Sequence, residues 1–215
     1  MADARCRGTG WIVGIVLALV ALAPLGGCRS VPKDDPNAPL AWVQIDTTLG
    51  PIVVELDRAR APVSVANFLS YVDEGAYDGT IFHRVMKDFV IQGGGHTPDL
   101  AELPGRAPIV NEWTNGLKNT RGTIAMARKS DPDTATRQWY INVGDNPRLD
   151  EPRPISGSAG YAVFGRVVAG MDVVDAIRVL PVRDVPEAGM QNVPVDPPVI
   201  TGVRRIPDPG QPVGD

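Results

Sequence analysis

The hydrophobic pattern of the predicted domain begins with two short runs rich in β-branched residues. They cover residues 42–47 and 52–57, and the tripeptide Leu-Gly-Pro at residues 49–51 separates them. Runs of this length that are divided by Gly and Pro are typical of two strands joined by a turn. The pattern therefore predicts a β-hairpin.

Apolar residues then recur at the spacing i, i+3, i+4 and i+7, which places them on one face of a helix. They are Val65, Phe68, Leu69 and Val72. Pro62 precedes this stretch, and proline is tolerated in a first helical turn; Gly75 follows it, and glycine commonly ends a helix. The spacing predicts an amphipathic helix that is entered through Pro62.

Further short strands are predicted wherever brief apolar runs are bounded by Gly, Pro, Asn or Asp. These runs lie near residues 81–85, 89–92, 122–127, 139–143, 162–168 and 198–206. A second short helix is predicted over residues 171–180. Seven or eight short strands with two helices favour a closed or nearly closed antiparallel barrel, because closure removes exposed strand edges.

The first 27 residues differ from the rest and are typical of a secretory signal peptide. Arg5 and Arg7 precede an uncharged run over residues 11–22, and small residues follow it. The run is shorter than the ~20 residues that a spanning helix needs. A cleaved signal is therefore favoured over the alternative, which is a permanent transmembrane anchor.

The stretch LGGC, residues 25–28, resembles the lipobox of bacterial lipoproteins, in which the cysteine is lipidated and becomes the new N-terminus. This resemblance assigns lipidation to Cys28 and implies an exported protein, anchored to a bacterial membrane, with its domain facing the periplasm or the cell exterior. Cys6 would leave with the signal, so the mature chain has no disulfide. A free or intermolecularly paired Cys28 is the alternative.

The chain after the signal divides into three predicted parts. Residues 28–40 contain three prolines and no apolar periodicity, which is typical of a flexible tether. Residues 41–206 carry the predicted strands and helices and form one domain. Residues 207–215 are predicted to be disordered.

Composition supports one globular domain, since 43% of the 215 residues are hydrophobic. The formal net charge is −4, so the chain lacks the basic excess with which proteins neutralise nucleic-acid phosphates. Nucleic acid is therefore not an expected partner.

Five blocks of the sequence resemble the cyclophilin family of peptidyl-prolyl cis/trans isomerases, most closely its exported bacterial members. They occur in the family's order between residues 42 and 206, and they are APVSVANFLSYV, FHRVMKDFVIQGGG, NTRGTIAMAR, RQWYINV and YAVFGRVVAGMDVVDAI. The resemblance implies a mainly β fold, a closed antiparallel eight-stranded barrel with two capping helices. It also implies a monomer that uses no cofactor and acts on proline-containing segments of unfolded proteins.

The implied reaction explains why the blocks contain no nucleophile. Rotating an X-Pro bond breaks no covalent bond, and the obstacle is amide resonance, with a barrier of ~18 to 20 kcal/mol. In the twisted state the proline nitrogen gains a lone pair, so a fixed cationic donor stabilises that state. By resemblance Arg84 is this donor, and Gln92 orients it and the peptide.

The resemblance also assigns residues that hold the substrate. Four side chains form an apolar cup for the proline ring, with a fifth nearby: Phe89, Val90, Tyr140 and Leu149, then Tyr161. Gln138 and the backbone around Arg128, next to Ala127, hold the residues before the proline. Strict strand alternation would place Phe89 opposite Gln92, so a bend or bulge near Asp88 is required.

The residues themselves leave alternatives open. Arg84 could alternatively be a solvated strand residue. Phe89 and Tyr140 could alternatively be ordinary core aromatics. His83 and His96, with Asp88 or Asp99, fit no known zinc spacing, so no metal is expected and His83 is interpreted as a hydrogen-bonded structural residue. The glycines at 93–95 lack a phosphate-loop spacing and are interpreted as turn residues.

Three positions depart from the family pattern. Arg148 stands where many cyclophilins have an aromatic residue that contributes to cyclosporin binding, so weak cyclosporin binding is expected. Tyr140 adds a hydroxyl to the cup, which is expected to tune substrate choice. Arg137 is expected to make a secondary pocket cationic together with Arg128, which predicts a preference for acidic residues two positions before proline.

Two functions of different classes follow. The first is an isomerase that accelerates X-Pro isomerisation during folding of exported proteins. The alternative is a non-catalytic module that binds proline peptides or acts as a chaperone at the membrane surface. Both need the cup, but only the enzyme needs Arg84. The long segments 96–121 and 144–160 are expected to contact the substrate.

Overall fold

The computed structural model describes residues 35, 37–152, 154 and 158–210. The predicted signal peptide, Cys28, most of the predicted tether and the last five residues of the predicted tail lie outside the described residues. Residue 40 already belongs to the first strand. No helix in the described part of the chain is long and apolar enough to cross a membrane.

The described residues form ten strands and two α-helices. In chain order these are β1 (Leu40–Thr47), β2 (Gly50–Asp57), α1 (Pro62–Asp73), β3 (Phe82–Val85), β4 (Val90–Gly93), β5 (Thr123–Met126), β6 (Trp139–Asn142), β7 (Val163–Ala169), α2 (Met171–Arg178), β8 (Val182–Val185), β9 (Met190–Pro194) and β10 (Ile200–Ile206).

Eight of the strands form one antiparallel sheet in the order β10-β1-β2-β7-β5-β6-β4-β3. The sheet curls until its two edges approach, where an isolated antiparallel bridge joins Ile81 to Val199. The predicted mainly β fold with eight antiparallel strands and two helices is confirmed. The predicted closure is slightly overstated, because a single bridge rather than a ladder joins the edge strands and the sheet forms a half-barrel.

The predicted hairpin is β1–β2, with Thr47 paired to Gly50. The Thr47 hydroxyl donates to the Gly50 carbonyl at 2.7 Å and accepts the Leu49 N–H at 3.0 Å, which closes the turn. Gly50 has a φ of 128°, where a residue with a Cβ is strained. The turn therefore explains the glycine between the two runs.

Helix α1 buries the apolar face that its spacing predicts, and it lies against β2 and β10. Phe68 packs at the centre of an aromatic group, with ring centroids 5.2 Å from Tyr77, 5.4 Å from Phe164 and 6.2 Å from Trp139. This group belongs to the main core inside the curled sheet. A second, smaller apolar cluster contains Val90, Ala125, Tyr140, Leu149 and Val163.

Strands β8 and β9 form a separate two-stranded sheet that the pattern does not predict. Most of β8 is exposed, and its sequence VRDV offers little apolar periodicity. Glycine at position 189, with a φ of 65°, completes the turn between the strands. This hairpin lies against β3, so it depends on the larger sheet rather than on its own pattern.

The N-terminus of α1 is capped by a residue from a distant loop. Ala61, at the N-cap position, makes no side-chain cap hydrogen bond. Instead the Glu112 carboxylate accepts the N–H groups of Val63 at 3.0 Å and Ser64 at 2.8 Å, and the Ser64 hydroxyl at 2.7 Å. A carboxylate at this end of a helix also interacts favourably with the helix dipole. Glu112 therefore joins the segment 96–121 to the domain.

We expect Glu112→Ala to lower the free energy of unfolding by about 1–3 kcal/mol, because it leaves the first-turn donors of α1 without their acceptor. Urea denaturation measures the change. Glu187→Ala, at an exposed position in the β8–β9 turn, is the matched control and should leave the midpoint unchanged. Equal midpoints for wild type and Glu112→Ala would contradict this account of the cap.

Candidate functional site

A small cavity of about 120 Å³ opens at the second apolar cluster. Nine of the ten side chains predicted for the site line it: Arg84, Phe89, Val90, Gln92, Ala127, Arg128, Tyr140, Leu149 and Tyr161. The tenth, Gln138, lines an adjoining cavity of about 490 Å³ that also includes Gln92, Ala127 and Arg128. The structure therefore brings all ten residues together in one groove.

Strand register places three of these residues in a row. Arg84 on β3 pairs with Gln92 on β4, and Gln92 pairs with Tyr140 on β6. Paired residues of antiparallel strands put their side chains on the same face of the sheet. The ladder therefore sets the guanidinium, the amide and the aromatic ring side by side.

A chain of polar contacts links Arg84 to Gln138. The Arg84 guanidinium donates to Gln92 Oε1 at 3.5 Å, and Gln92 Nε2 donates to Gln138 Oε1 at 2.8 Å. Partial burial lowers the pKa of Arg84 from its ordinary value, but arginine stays charged at neutral pH. None of the ion pairs within the described ranges includes Arg84. Its charge is therefore directed at the cavity without a carboxylate beside it.

Phe89 reaches the cavity because it lies outside the strand. Strand β4 begins at Val90, and the Phe89 N–H donates to the Met86 carbonyl at 2.9 Å in the turn between β3 and β4. The bend required near Asp88 is this turn. The ladder irregularity itself lies between Phe82 and Arg84. Strand alternation therefore does not separate Phe89 from Gln92.

The Arg128 side chain stabilises the wall of the cavity that contains Tyr161. Its guanidinium lies 4.2 Å from the centroid of the Tyr161 ring. It also donates to the carbonyls of Ala159 at 2.8 Å, Gly160 at 2.9 Å and Lys129 at 2.9 Å. The resemblance assigns a role to the backbone here, and the structure adds this contribution of the side chain.

The expectation for Arg137 is wrong. Its side chain is buried and does not line the adjoining cavity. The guanidinium donates to the carbonyls of Gly94 at 2.8 Å and Ala76 at 2.5 Å. The next residue, Gln138, lines that cavity instead. Arg137 therefore does not make that cavity cationic, whereas Arg128 does line it, and the preference for acidic residues stays a prediction.

The hydroxyl of Tyr140 was expected to face the cavity, but it points away from it. It donates to Asn119 Oδ1 at 2.8 Å, and burial raises the pKa of the phenol well above its ordinary value. The cup therefore receives the ring but not the hydroxyl. Arg148 is exposed beside Leu149 and does not line the cavity. Weak cyclosporin binding stays a prediction.

The two histidines lie next to the site but make no metal cluster. Their ring centroids are 4.3 Å apart, and neither Nδ1 atom has a hydrogen-bond partner among the described residues. Burial, and then the neighbouring His96, lower the pKa of His83 to about 3. No group of three His, Cys, Asp or Glu side chains suited to a metal ion occurs in the described ranges.

The sequence of the domain matches one family along almost its full length. Residues 42–205 match the family described as cyclophilin type peptidyl-prolyl cis-trans isomerase/CLD. The chain belongs to the cyclophilin family. The expectation raised by the five sequence blocks is confirmed.

Curated relatives of this cyclophilin are named as isomerases. The peptidyl-prolyl cis-trans isomerase cyp18 of Streptomyces antibioticus is 52% identical over 167 residues, which are 78% of this chain and 99% of that protein. The peptidyl-prolyl cis-trans isomerase A of Dickeya dadantii is 48% identical over 164 residues, which are 76% of this chain and 84% of that protein.

A solved relative has the same fold. The crystal structure of a cyclophilin type peptidyl-prolyl cis-trans isomerase from Cryptosporidium parvum superimposes with a TM-score of 0.66 at 26% identity, covering 79% of this chain and 99% of that one. A second structure of that protein, in the presence of the dipeptide Ala-Pro, gives a TM-score of 0.65 at 26% identity, covering 78% of this chain and 99% of that one.

Sequence reasoning missed three residues that touch the walls of this cyclophilin's cup. Asn119, Asn142 and Asn146 are buried, although asparagine is usually exposed. Asn119 and Asn142 lie within two of the five sequence blocks that carry the resemblance, and all three residues lie in or near the ends of predicted strands. That signal is equally typical of turn residues, so it does not identify them.

We expect His83 to make the domain less stable in mild acid. The unfolded chain binds a proton near the ordinary pKa of 6.5, whereas the folded chain resists protonation until about pH 3. The contribution of His83 to the free energy of unfolding is therefore greatest above pH 6.5, and it is lost as the pH falls toward 3. Between pH 7 and pH 5, His83→Gln should lose about 2 kcal/mol less unfolding free energy than wild type.

Urea denaturation at the two pH values measures this difference. Carboxylates contribute equally to both proteins and cancel in the comparison. His96→Gln is the matched control, and it should change the pH dependence less because His96 is less buried than His83. An identical loss for wild type and His83→Gln would show that His83 is protonated in the folded protein.

Proposed function

We propose that this chain catalyses cis/trans isomerisation of X-Pro bonds, with Arg84 and the cup as its working parts. The observation that carries the proposal is a guanidinium beside an apolar cavity of about 120 Å³, both set by one strand ladder. The isomerase names of relatives at about 50% identity support it. Proline-containing segments of unfolded proteins are the substrates.

The cup holds the pyrrolidine ring while the rest of the peptide turns. Phe89, Leu149 and Tyr140 provide apolar surface, and burial of that surface favours binding of the proline ring. Proline has no backbone N–H that this binding would leave without a partner. Rotation about the preceding bond then moves the carbonyl side of the amide relative to a fixed ring. Restricting the motion to this one torsion lowers the entropic part of the barrier.

Arg84 acts on the nitrogen rather than on the carbonyl. As the amide twists, resonance is lost and the nitrogen regains a lone pair, which accepts a hydrogen bond from the guanidinium. The planar ground state has no such lone pair, so the interaction is stronger in the transition state. Each 1.36 kcal/mol of this difference accelerates the reaction about tenfold.

Gln92 and Gln138 position the reacting groups. The Gln92 amide accepts from Arg84 and donates to Gln138, which restrains the orientation of the Gln92 amide between them. Their polar atoms line the adjoining cavity next to Ala127 and Arg128, where the peptide continues beyond the ring. This chemistry requires neither a metal nor a cofactor, and one copy of the domain holds the complete groove. We therefore propose a monomeric enzyme.

Arg84→Ala should lower kcat/KM for an X-Pro peptide about 100- to 1,000-fold, the effect typical of removing one electrostatic donor from a transition state. Two-dimensional NMR exchange or a protease-coupled assay measures the rate. Arg166→Ala removes an exposed arginine that pairs with Glu55 outside the groove and should retain full activity.

The same experiment tests the alternative, a non-catalytic proline-binding module. Exchange at the uncatalysed rate with both wild type and Arg84→Ala would leave binding as the only role of the groove. Equal acceleration by both proteins would instead overturn the role of Arg84. Titration of Arg84→Ala with the peptide measures its affinity. An enzyme that has lost only its donor should still bind the proline ring in the cup.

We further propose that the enzyme is exported and acts at a membrane surface during folding of exported proteins. The proposal is supported by the basic and apolar pattern of residues 1–27 and by the LGGC stretch that ends at Cys28. Uncatalysed X-Pro exchange takes tens to hundreds of seconds, which delays folding. A lipid at Cys28 and the tether over residues 28–40 would hold the domain near newly exported chains.

Mass spectrometry of the protein from membranes of an expressing bacterium should show a mature N-terminus at Cys28 with lipid mass attached. Cys28→Ser should abolish that mass and move the protein out of the membrane fraction. Wild type with an unmodified Cys28, or cleavage at another residue, would contradict the lipid anchor without affecting the isomerase proposal.

A further inference from the structure

Three buried asparagines lie directly behind the walls of the cup, and we call them the asparagine network. They are Asn119, Asn142 and Asn146, with exposed fractions of 1%, 0% and 9%. Burying a polar amide is unfavourable unless its donors and acceptors are satisfied. Each of the three buried amides therefore needs hydrogen-bond partners for its donors and its acceptor.

Asn119 uses its full hydrogen-bonding capacity. Its backbone N–H and its side-chain Nδ2 both donate to Asp150 Oδ1 at 2.9 Å, and Nδ2 also donates to the Tyr161 carbonyl at 3.2 Å. Its Oδ1 accepts from the Tyr140 hydroxyl at 2.8 Å and from Asn142 Nδ2 at 3.1 Å. Its carbonyl accepts the Asn146 N–H at 2.8 Å.

The network reaches two further walls through Asn146. Asn146 Nδ2 donates to Asn142 Oδ1 at 2.7 Å and to the Phe89 carbonyl at 2.9 Å. The Asn146 carbonyl accepts the Leu149 N–H at 2.9 Å. Four walls of the cup, on four separate segments of the chain, are therefore tied to the three asparagines. The amide side chains hold Tyr140, Tyr161 and Phe89, and the backbone carbonyl of Asn146 holds Leu149.

Asparagine suits the central position for a chemical reason. A primary amide presents two donors and two acceptors in one plane, whereas a carboxylate has no donor and a hydroxyl has only one. The four partners of the Asn119 side chain require two donors and two acceptors. No other side chain of this size supplies both.

We propose that Asn119 is a positioning residue that sets the width of the cup, so that the proline ring stays aligned with Arg84 while the amide rotates. The proposal rests on the proposed isomerase function. Asn119 acts through Tyr140, Tyr161 and Leu149 and does not itself line the cavity. A displacement of about 1 Å in such an alignment lowers rates on the order of 100-fold.

Asn119→Ala should lower kcat about 10- to 100-fold per folded molecule and raise KM only slightly, since a loose cup still binds a ring but does not align it. NMR line shapes of an X-Pro peptide give both constants. Thr47→Ala, which removes the half-buried hydroxyl that closes the β1–β2 turn far from the groove, is the matched control. It should lower stability while leaving kcat unchanged.

Asn119→Asp is a nearly isosteric second variant for the case in which Asn119→Ala does not fold. It keeps the acceptors for Tyr140 and Asn142 but places a carboxylate against that of Asp150, in surroundings that also contain Tyr161 and Arg128. Protonation restores one donor, so kcat should recover at least threefold from pH 8 to pH 5. Wild type should show a flat profile, because the reaction transfers no proton.

Methyl relaxation of Leu149 provides a readout that does not depend on turnover. Both variants should broaden or shift these signals, because both remove the hydrogen bond from Asn119 Nδ2 to Asp150, the residue next to Leu149. Wild-type kcat in a folded Asn119 variant would overturn the positioning role. An inactive wild type would instead overturn the proposed function, so the two failures are distinguishable.

Discussion

The site depends on the alternation of a single strand. In β6, Trp139 and Ile141 face the main core, and Tyr140 and Asn142 face the cup and the asparagine network. Trp139 is fully buried, with its ring 5.6 Å from that of Phe82 and nearly perpendicular to it. A slip of one residue would exchange the two faces, and the core strongly opposes that exchange. Packing on one side therefore fixes the position of the cup on the other.

Much of this architecture follows from the local sequence pattern. The remaining parts depend on contacts between residues that are distant in sequence. The helix over Pro62–Asp73 and the β1–β2 hairpin are predictable because their apolar spacing records which face is buried. The β8–β9 sheet is not, because its strands are stabilised by contact with β3 and carry no clear periodicity of their own. The Glu112 cap joins residues 48 positions apart, beyond the reach of any local motif.

The candidate site was accessible from sequence only through its resemblance to the cyclophilins. Composition and periodicity place Arg84 on a strand but do not show which residues lie beside it. Registers between strands distant in sequence decide that, as in the pairing of Gln92 with Tyr140. The same limit explains the error for Arg137, whose orientation depends on carbonyl acceptors at Gly94 and Ala76 that no local pattern reveals.

Three arginines near the groove show how surroundings assign roles to one residue type. Arg137 is buried and bonded to backbone carbonyls, and Arg128 donates to carbonyls around Tyr161, so both guanidiniums are committed to holding segments in place. Within the described ranges, Arg84 makes one long hydrogen bond of 3.5 Å and no ion pair. Arg84 is only partly buried, so its remaining donors are accessible to water or to a substrate in the cavity. Under the proposed mechanism a twisted amide nitrogen in the cavity accepts from Arg84 and a planar one does not, so the remaining donors of Arg84 would favour the transition state.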